Sequence, residues 1–178
     1  GGSTDINRAL LEAAAMVDSQ RSTYLIFLTD GLPTEGVTDS QTILAAFSKS
    51  APKNLRLFTF GVGYDVDTVL LDSLSREHHG QSTYVTPGMN LDEVLSNFYN
   101  GISTPVLTNL DLSFDSLSTY DLYPSPLPDL FAGSQLVLVG RYHNSGPTQV
   151  RLSGVVNGNP LAFTYGDLTF RSSGGADF

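Results

Sequence analysis

The hydrophobic pattern of the first part of the chain alternates between strand-like runs and helix-like spacing. The unbroken apolar run within Tyr24–Thr29 ends at turn residues, which is typical of a parallel strand buried on both faces. Leu55–Phe60, closed by Gly61-Val62-Gly63, is predicted to be a second strand of this buried type. A short third strand is predicted at Thr83–Val85. Capping residues and helical spacing predict helices at 8–20, 38–49, 67–74 and 90–98. Strands that alternate with helices predict an α/β fold with a doubly wound parallel sheet.

The pattern changes near Pro105, after which helical spacing gives way to alternation of period two. Val106–Phe114 alternates over its later part, as a half-buried strand does. The segments 150–156 and 161–165 flank Asn157-Gly158, a strong hairpin signal. A further strand is predicted at 135–142, and a loop with three prolines at 123–128. We therefore predict an antiparallel, β-sandwich-like segment after the parallel sheet.

Two residues are candidate oxygen ligands for a cation. Asp30 directly follows the first apolar run, and in open α/β sheets ligands bind outside the carboxyl ends of the strands. Its carboxylate suits a hard cation such as Mg²⁺. Thr4 precedes the first predicted helix, whose N-terminus carries unpaired N–H groups. Its hydroxyl could cap this helix or face a cation, and from these residues alone capping is the favoured interpretation.

Four motifs together resemble the von Willebrand factor A domain, and most closely its inter-alpha-trypsin inhibitor heavy-chain subgroup. They are GGSTDINRAL at 1–10, TDGLPTEG at 29–36, FGVGYDVD at 60–67 and PLPDLFAGSQLVLVGRY at 126–142. The resemblance covers nearly all of residues 1–170. It implies a von Willebrand factor A-like sheet that is partial in this chain, followed by β structure.

The resemblance also implies a metal-ion-dependent adhesion site built from three loops. By position, Thr4 matches the Thr of the second loop and Asp30 matches the Asp of the third. The implied cation is Mg²⁺, with Mn²⁺ or Ca²⁺ as alternatives. The pattern of the first loop, Asp-x-Ser-x-Ser, occurs nowhere in the sequence, and the run 115–118 has the wrong spacing. We therefore expect metal binding by the isolated chain to be weak or absent, because two ligands cannot replace a shell of about six.

The missing pattern leads to a hypothesis about domain organisation. Residues 1–104 would be the C-terminal half of the A-like domain, 105–170 the antiparallel β segment, and 171–178 a disordered tail. The first half would lie on a complementary fragment or have been removed. The strand Tyr24–Thr29 would then expose an unpaired edge, so the chain should bind such a fragment, dimerise or aggregate.

Composition excludes some function classes. The net charge is −9 and the nine basic residues are scattered, which argues against a nucleic-acid surface. The sequence has no cysteine, so it forms no disulfide, and this mildly favours a bacterial source. No apolar stretch is long enough to span a bilayer, so we expect no membrane span.

Three functions stay open. The leading hypothesis is a non-enzymatic adhesion module that captures an acidic group of a protein ligand through the metal, outside the cell or at its surface as the resemblance implies. The second is a structural fragment without a competent metal site. The third is a metal-assisted hydrolase, for which no general base is evident. Asp65 and Asp67 could also bind a cation, although Asp67 is better interpreted as a helix cap, and His78 and His79 as surface residues.

Overall fold

The computed structural model describes residues 2–18, 22–103 and 105–172 of the chain. The chain divides into two compact units, Gly1–Phe98 and Tyr99–Phe178. The domain boundary predicted after residue 104 stays a prediction. Most of the predicted tail, residues 173–178, lies outside the described residues.

The first unit alternates helices and strands in the predicted order. Its elements are α1 (Ile6–Ala15), β1 (Thr23–Thr29), α2 (Ser40–Ser50), β2 (Leu55–Val62), α3 (Thr68–Glu77), β3 (Ser82–Val85) and α4 (Leu91–Ile102). The last residues of α4 belong to the second unit. The strands pair in parallel in the order β1-β2-β3. This arrangement confirms the predicted α/β fold class.

Polar side chains fix where the helices begin. Asp5, Asp39, Asp67 and Asn90 each accept a hydrogen bond from the backbone N–H three residues further along the chain. These bonds satisfy N–H groups that have no partner inside the helix. The predicted caps at Asp67 and Asn90 are confirmed. The predicted span of the first helix is wrong, because α1 starts directly after its Asp5 cap and ends at Ala15.

The main hydrophobic core lies between one face of the sheet and helices α1, α2 and α3. Its buried members are Ile6, Leu10, Ala14, Ile43, Phe47, Leu55, Leu57, Leu70 and Leu74. On the other face, the ring of Phe98 in α4 packs edge-on against Phe58 and Phe60, with centroids 5.1 and 4.9 Å apart. β2 is therefore covered on both faces, as the sequence predicted.

β1 differs from the prediction of a strand buried on both faces. Leu25 and Phe27 pack against the core, but Ile26 is 41% exposed and Leu28 is 49% exposed. The reason is position: β1 is the edge strand of the three-stranded sheet, and the aromatic cluster on that face is centred on β2. The position of β1 at the edge of the sheet agrees with the unpaired edge that was predicted for Tyr24–Thr29.

The second unit contains antiparallel sheets, and no helix occurs in its described residues beyond the end of α4. Its strands are β4 (Pro105–Phe114), β5 (Thr119–Tyr123), β6 (Leu130–Phe131), β7 (Val139–Tyr142), β8 (Gly146–Val156) and β9 (Asn159–Phe170). One sheet has the order β6-β4-β8-β9, and β5 pairs with β7. The predicted hairpin turn is confirmed, because Asn157 and Gly158 have φ values of 49° and 81°, as a type I′ turn requires.

The strand predicted at 135–142 forms only over its last part. Val139 pairs with Tyr123, and the chain continues from Tyr123 into Pro124, which has no N–H to donate to a ladder. Residues 135–138 therefore have no strand to pair with in this sheet. The short strands β5 and β6 were not predicted. No helix among the described residues is long and apolar enough to cross a membrane.

Candidate metal site at the end of the first strand

Asp30 lies at the carboxyl end of β1 with an exposed side chain. The hydroxyl of Thr29 donates to the carbonyl of Gly31 at 3.0 Å and accepts from the N–H of Gly31 at 3.4 Å. Thr29 is itself 7% exposed, so this turn is anchored in the sheet. The turn presents the carboxylate of Asp30 at the sheet edge where ligands of open α/β folds bind.

Thr4 is joined to the loop that follows β1 by three hydrogen bonds. Its N–H donates to Oγ1 of Thr34 at 2.9 Å, and its carbonyl accepts from the N–H groups of Thr34 at 3.0 Å and Glu35 at 3.3 Å. These bonds link the segment before α1 to the loop that begins at Asp30. The two predicted ligands therefore belong to segments that the fold ties together.

The close approach of these segments depends on a glycine. A Cβ atom at Gly36 would lie 2.6 Å from Oδ2 of Asp5, and the φ value of Gly36 is +67°. A larger residue would be strained in this conformation and would push against the helix cap. Gly36 thus lets the loop pack against the start of α1.

The interpretation of Thr4 as the cap of α1 is wrong. Asp5 takes that role, because its Oδ1 accepts from the N–H of Arg8 at 2.9 Å. The hydroxyl of Thr4, which is half-buried, has no hydrogen-bond partner among the described residues. It is therefore not used by the helix, and its oxygen stays available to a ligand.

Acidic groups dominate the charges around Arg8 at the start of α1. Nε of Arg8 donates to Oε1 of Glu12 at 2.7 Å, and this bond, with the charge of Glu12, raises the pKa of Arg8. Asp5 and Glu35 add smaller contributions in the same direction. With one guanidinium and three carboxylates, the local charge at the start of α1 is negative.

The available oxygens fit a hard divalent cation in type but not in number. Thr4 and Asp30 supply a hydroxyl and a carboxylate, which are ligands that Mg²⁺ and Ca²⁺ accept. Among the described residues, no three or more His, Asp or Glu side chains converge to hold a metal. Two oxygen ligands would be fewer than the shell of about six that these cations take.

The other candidate ligands are engaged elsewhere. Asp67 accepts from the N–H of Leu70 at 2.9 Å and from the hydroxyl of Ser40, which confirms its role as a helix cap. His78 was predicted to be a surface residue, and this is wrong. Its ring packs edge-on against Phe47 at 4.8 Å, its Nε2 is buried, and burial lowers its pKa.

The residues that sequence reasoning missed are Thr34, Glu35 and Gly36. All three lie in the TDGLPTEG motif, so a signal was present, but the motif does not say which partner the loop binds. That partner is Thr4, whose N–H bonds to a side chain thirty residues away. Only the folded chain shows this contact.

The fold is that of the von Willebrand factor A class. The structure titled von Willebrand factor type A from Catenulispora acidiphila matches 96% of this chain and 47% of that chain, with a TM-score of 0.59 and 17% identity. At this identity the similarity shows the fold alone. No family model matches the chain.

Sequence similarity identifies relatives of the chain. Inter-alpha-trypsin inhibitor heavy chain H2 from Homo sapiens is 31% identical over 150 residues, or 79% of this chain, and the same heavy chain from Sus scrofa is 30% identical over 151 residues, or 80%. These heavy chains are homologues of this chain over about 80% of its length, which confirms the resemblance found in the motifs. The chain spans 16% of the length of either relative.

Proposed function

We propose that this chain is part of a non-enzymatic protein-binding module that captures an acidic group of a protein ligand through a divalent cation. Mg²⁺ is the proposed cation, with Mn²⁺ or Ca²⁺ as alternatives. The observation that carries the proposal is the set of three hydrogen bonds between Thr4 and residues 34–35, which ties the segments of the two candidate ligands together.

Thr4 and Asp30 have distinct tasks in this proposal. The carboxylate of Asp30 would neutralise one charge of the cation, and the neutral hydroxyl of Thr4 would bind without reducing the charge further. The cation, when bound, supplies positive charge to an acidic ligand group. A site with few anionic ligands keeps that positive charge available, so a partner carboxylate can complete the octahedron.

The remaining ligands would come from a segment with an Asp-x-Ser-x-Ser loop, a pattern that residues 1–178 do not contain. The open edge of β1 supports this part of the proposal, because Ile26 and Leu28 are 41% and 49% exposed beside it. A further parallel strand could pair with that edge and cover both side chains. A location outside the cell or at its surface completes the proposal.

Calorimetric titration with MnCl₂ and MgCl₂ tests the metal site. We expect weak binding, with a dissociation constant on the order of 10⁻³ M because the shell is incomplete. The variants Thr4→Val and Asp30→Asn should abolish it, while Asp65→Asn, at another exposed carboxylate after a strand, should not. Micromolar affinity that is lost in Asp30→Ala would show that the chain alone completes the shell, contrary to the proposal.

A structural fragment without a competent site is the second candidate. It is favoured by the absence, among the described residues, of three converging His, Asp or Glu side chains. Calorimetry separates the two candidates. Metal binding that needs both Thr4 and Asp30 supports the adhesion module, and the absence of any such binding supports the structural role.

A further inference from the structure

The sequence contains two Asn-Gly pairs, Asn100-Gly101 and Asn157-Gly158, and both asparagines are exposed. Glycine after asparagine leaves the side-chain amide open to attack by the following backbone nitrogen, because glycine has no Cβ to hinder the approach. A Cβ added at either glycine would meet nothing within 4 Å. The two pairs therefore match in sequence and in local space, and they differ in backbone conformation.

At Asn157-Gly158 the nitrogen that would attack is not held in a hydrogen bond. The pair forms the turn of the β8–β9 hairpin, which is closed by the pairing of Val156 with Asn159. Among the described residues, neither the N–H of Gly158 nor the side-chain amide of Asn157 has a hydrogen-bond partner. Both groups are therefore available to react with each other.

A neighbouring side chain supports the reactive form of this nitrogen. Nδ2 of Asn159 donates to the carbonyl oxygen of Asn157 at 3.3 Å. That oxygen and the nitrogen of Gly158 share one peptide group, so the oxygen takes part of the negative charge when the nitrogen loses its proton. A donor aimed at an oxygen on which charge develops stabilises the charged state. Asn159 is itself protected from the same reaction, because the nitrogen of Pro160 carries no proton.

The backbone at Asn100-Gly101 is held in a helix. Both residues lie inside α4, in which N–H groups donate along the helix. The N–H of Ser103 donates to the carbonyl of Tyr99 at 3.0 Å, so the helical hydrogen bonds continue past Gly101. The nitrogen of Gly101 must therefore leave its helical hydrogen bond before it can attack.

We propose that Asn157 is a site of spontaneous deamidation, which the hairpin turn exposes and Asn159 assists. The nitrogen of Gly158 loses its proton to solvent base and forms a bond to Cγ of Asn157. The bond between Cγ and Nδ2 breaks, and Nδ2 takes up a proton and leaves as ammonia. Water then opens the resulting succinimide ring. Hydrolysis at Cγ gives aspartate, and hydrolysis at the main-chain carbonyl carbon gives isoaspartate, in which the main chain runs through Cβ and Cγ.

Both products change the hairpin. Each adds a negative charge to a chain whose net charge is already −9. Isoaspartate also lengthens the main chain by one carbon inside a two-residue turn. The type I′ geometry that matches the twist of the two strands cannot then be kept. The pairing of Val156 with Asn159, which closes the turn, should therefore be lost first.

Incubation of the folded chain in heavy-oxygen water at mildly alkaline pH, followed by peptide mass spectrometry, tests the proposal. Heavy oxygen that enters during hydrolysis separates this reaction from conversion during sample preparation. We expect Asn157 to convert at least about tenfold faster than Asn100, because attack at Asn100 first requires local opening of the helix. Methylation by an isoaspartyl methyltransferase identifies the isoaspartate product. Equal rates at the two asparagines, or an Asn157 that stays intact, would overturn the proposal.

Two further measurements assign the difference to the fold. In concentrated urea the two asparagines should convert at similar rates, because each then precedes glycine in an unfolded chain. Asn159→Leu should slow the conversion of Asn157 in the folded chain by about two- to tenfold, since it removes one hydrogen-bond donor, and should leave Asn100 unchanged. Circular dichroism checks that this variant folds. A rate advantage of Asn157 that persists undiminished in urea, or an Asn159→Leu rate equal to that of wild type, would contradict the proposal.

Discussion

The backbone N–H of Thr4 donates a 2.9 Å hydrogen bond to the hydroxyl of Thr34, thirty residues further along the chain. The carbonyl of Thr4 accepts from the N–H of the same residue at 3.0 Å. This reciprocal contact joins the start of α1 to the loop after β1. The proposed pairing of Thr4 with Asp30 depends on this contact, because it holds the segment before α1 against the loop after β1.

Removal of the Thr34 hydroxyl should weaken both the fold and the site. Thr34→Val keeps the side-chain shape but removes the acceptor for the N–H of Thr4. We expect the free energy of unfolding to fall by about 0.5–1 kcal/mol, since the bond is partly exposed to water. Urea denaturation measures this, with Thr38→Val, an exposed position nearby, as the control. Equal stability of Thr34→Val and wild type would show that the contact is not needed.

A Cβ atom at Gly36 should be costly. The residue has a φ value of +67°, and the added carbon would meet the carboxylate of Asp5 at 2.6 Å. We expect Gly36→Ala to lower the free energy of unfolding by about 1–2 kcal/mol.

Gly31→Ala is the matched control, because nothing lies within 4 Å of a Cβ at that position and its φ is not in the left-handed region. Thermal unfolding of both variants measures the difference. If Gly36→Ala had the same melting temperature as Gly31→Ala, this would contradict the described packing between the loop and α1.

His78 should make the stability of the first unit depend on pH. Burial lowers its pKa below the ordinary value of 6.5, so the folded state binds fewer protons than the unfolded state in that range. Stability is therefore full above about pH 6.5 and falls as the pH drops toward the folded pKa.

Urea denaturation between pH 7 and pH 5 measures this dependence. His78→Phe should flatten the decline, while His143→Gln, at a ring stacked on Tyr120 in the second unit, should leave the unfolding of the first unit unchanged. A decline that persists in full in His78→Phe would assign the pH dependence to other groups.

The edge of β1 should cause the chain to associate. Ile26 is 41% exposed beside this edge, and a charge there should discourage strand addition. We expect aggregation at high concentration, and Ile26→Lys should reduce it. Light scattering over a concentration series measures the effect. A monodisperse wild-type protein at high concentration would show that the β1 edge is protected.

The sequence predicted features that local pattern alone determines. The segment predicted as a buried second strand became β2, which is covered on both faces, and Asn157-Gly158 formed the predicted turn. The caps at Asp67 and Asn90 were also predictable, because each cap bonds to a backbone group three residues away.

Features that depend on distant partners could not be predicted in the same way. Thr4 and Asp5 are both good capping residues, and the contact with Thr34 that occupies the backbone of Thr4 is not local. The exposed face of β1 follows from its place at the sheet edge, which its apolar run does not encode. His78 is half-buried, and Phe47, from another helix, packs on its ring.

The central claim is that Thr4 and Asp30 hold one cation together. Paramagnetic broadening of amide NMR signals by Mn²⁺ tests it most directly, because weak binding still broadens nearby signals strongly. We predict that low MnCl₂ concentrations broaden the amides of Thr4 and Gly31 first, and that Thr4→Val and Asp30→Asn each remove this broadening at both positions. Broadening that is centred on Asp65 or His78, or that persists in both variants, would contradict the account.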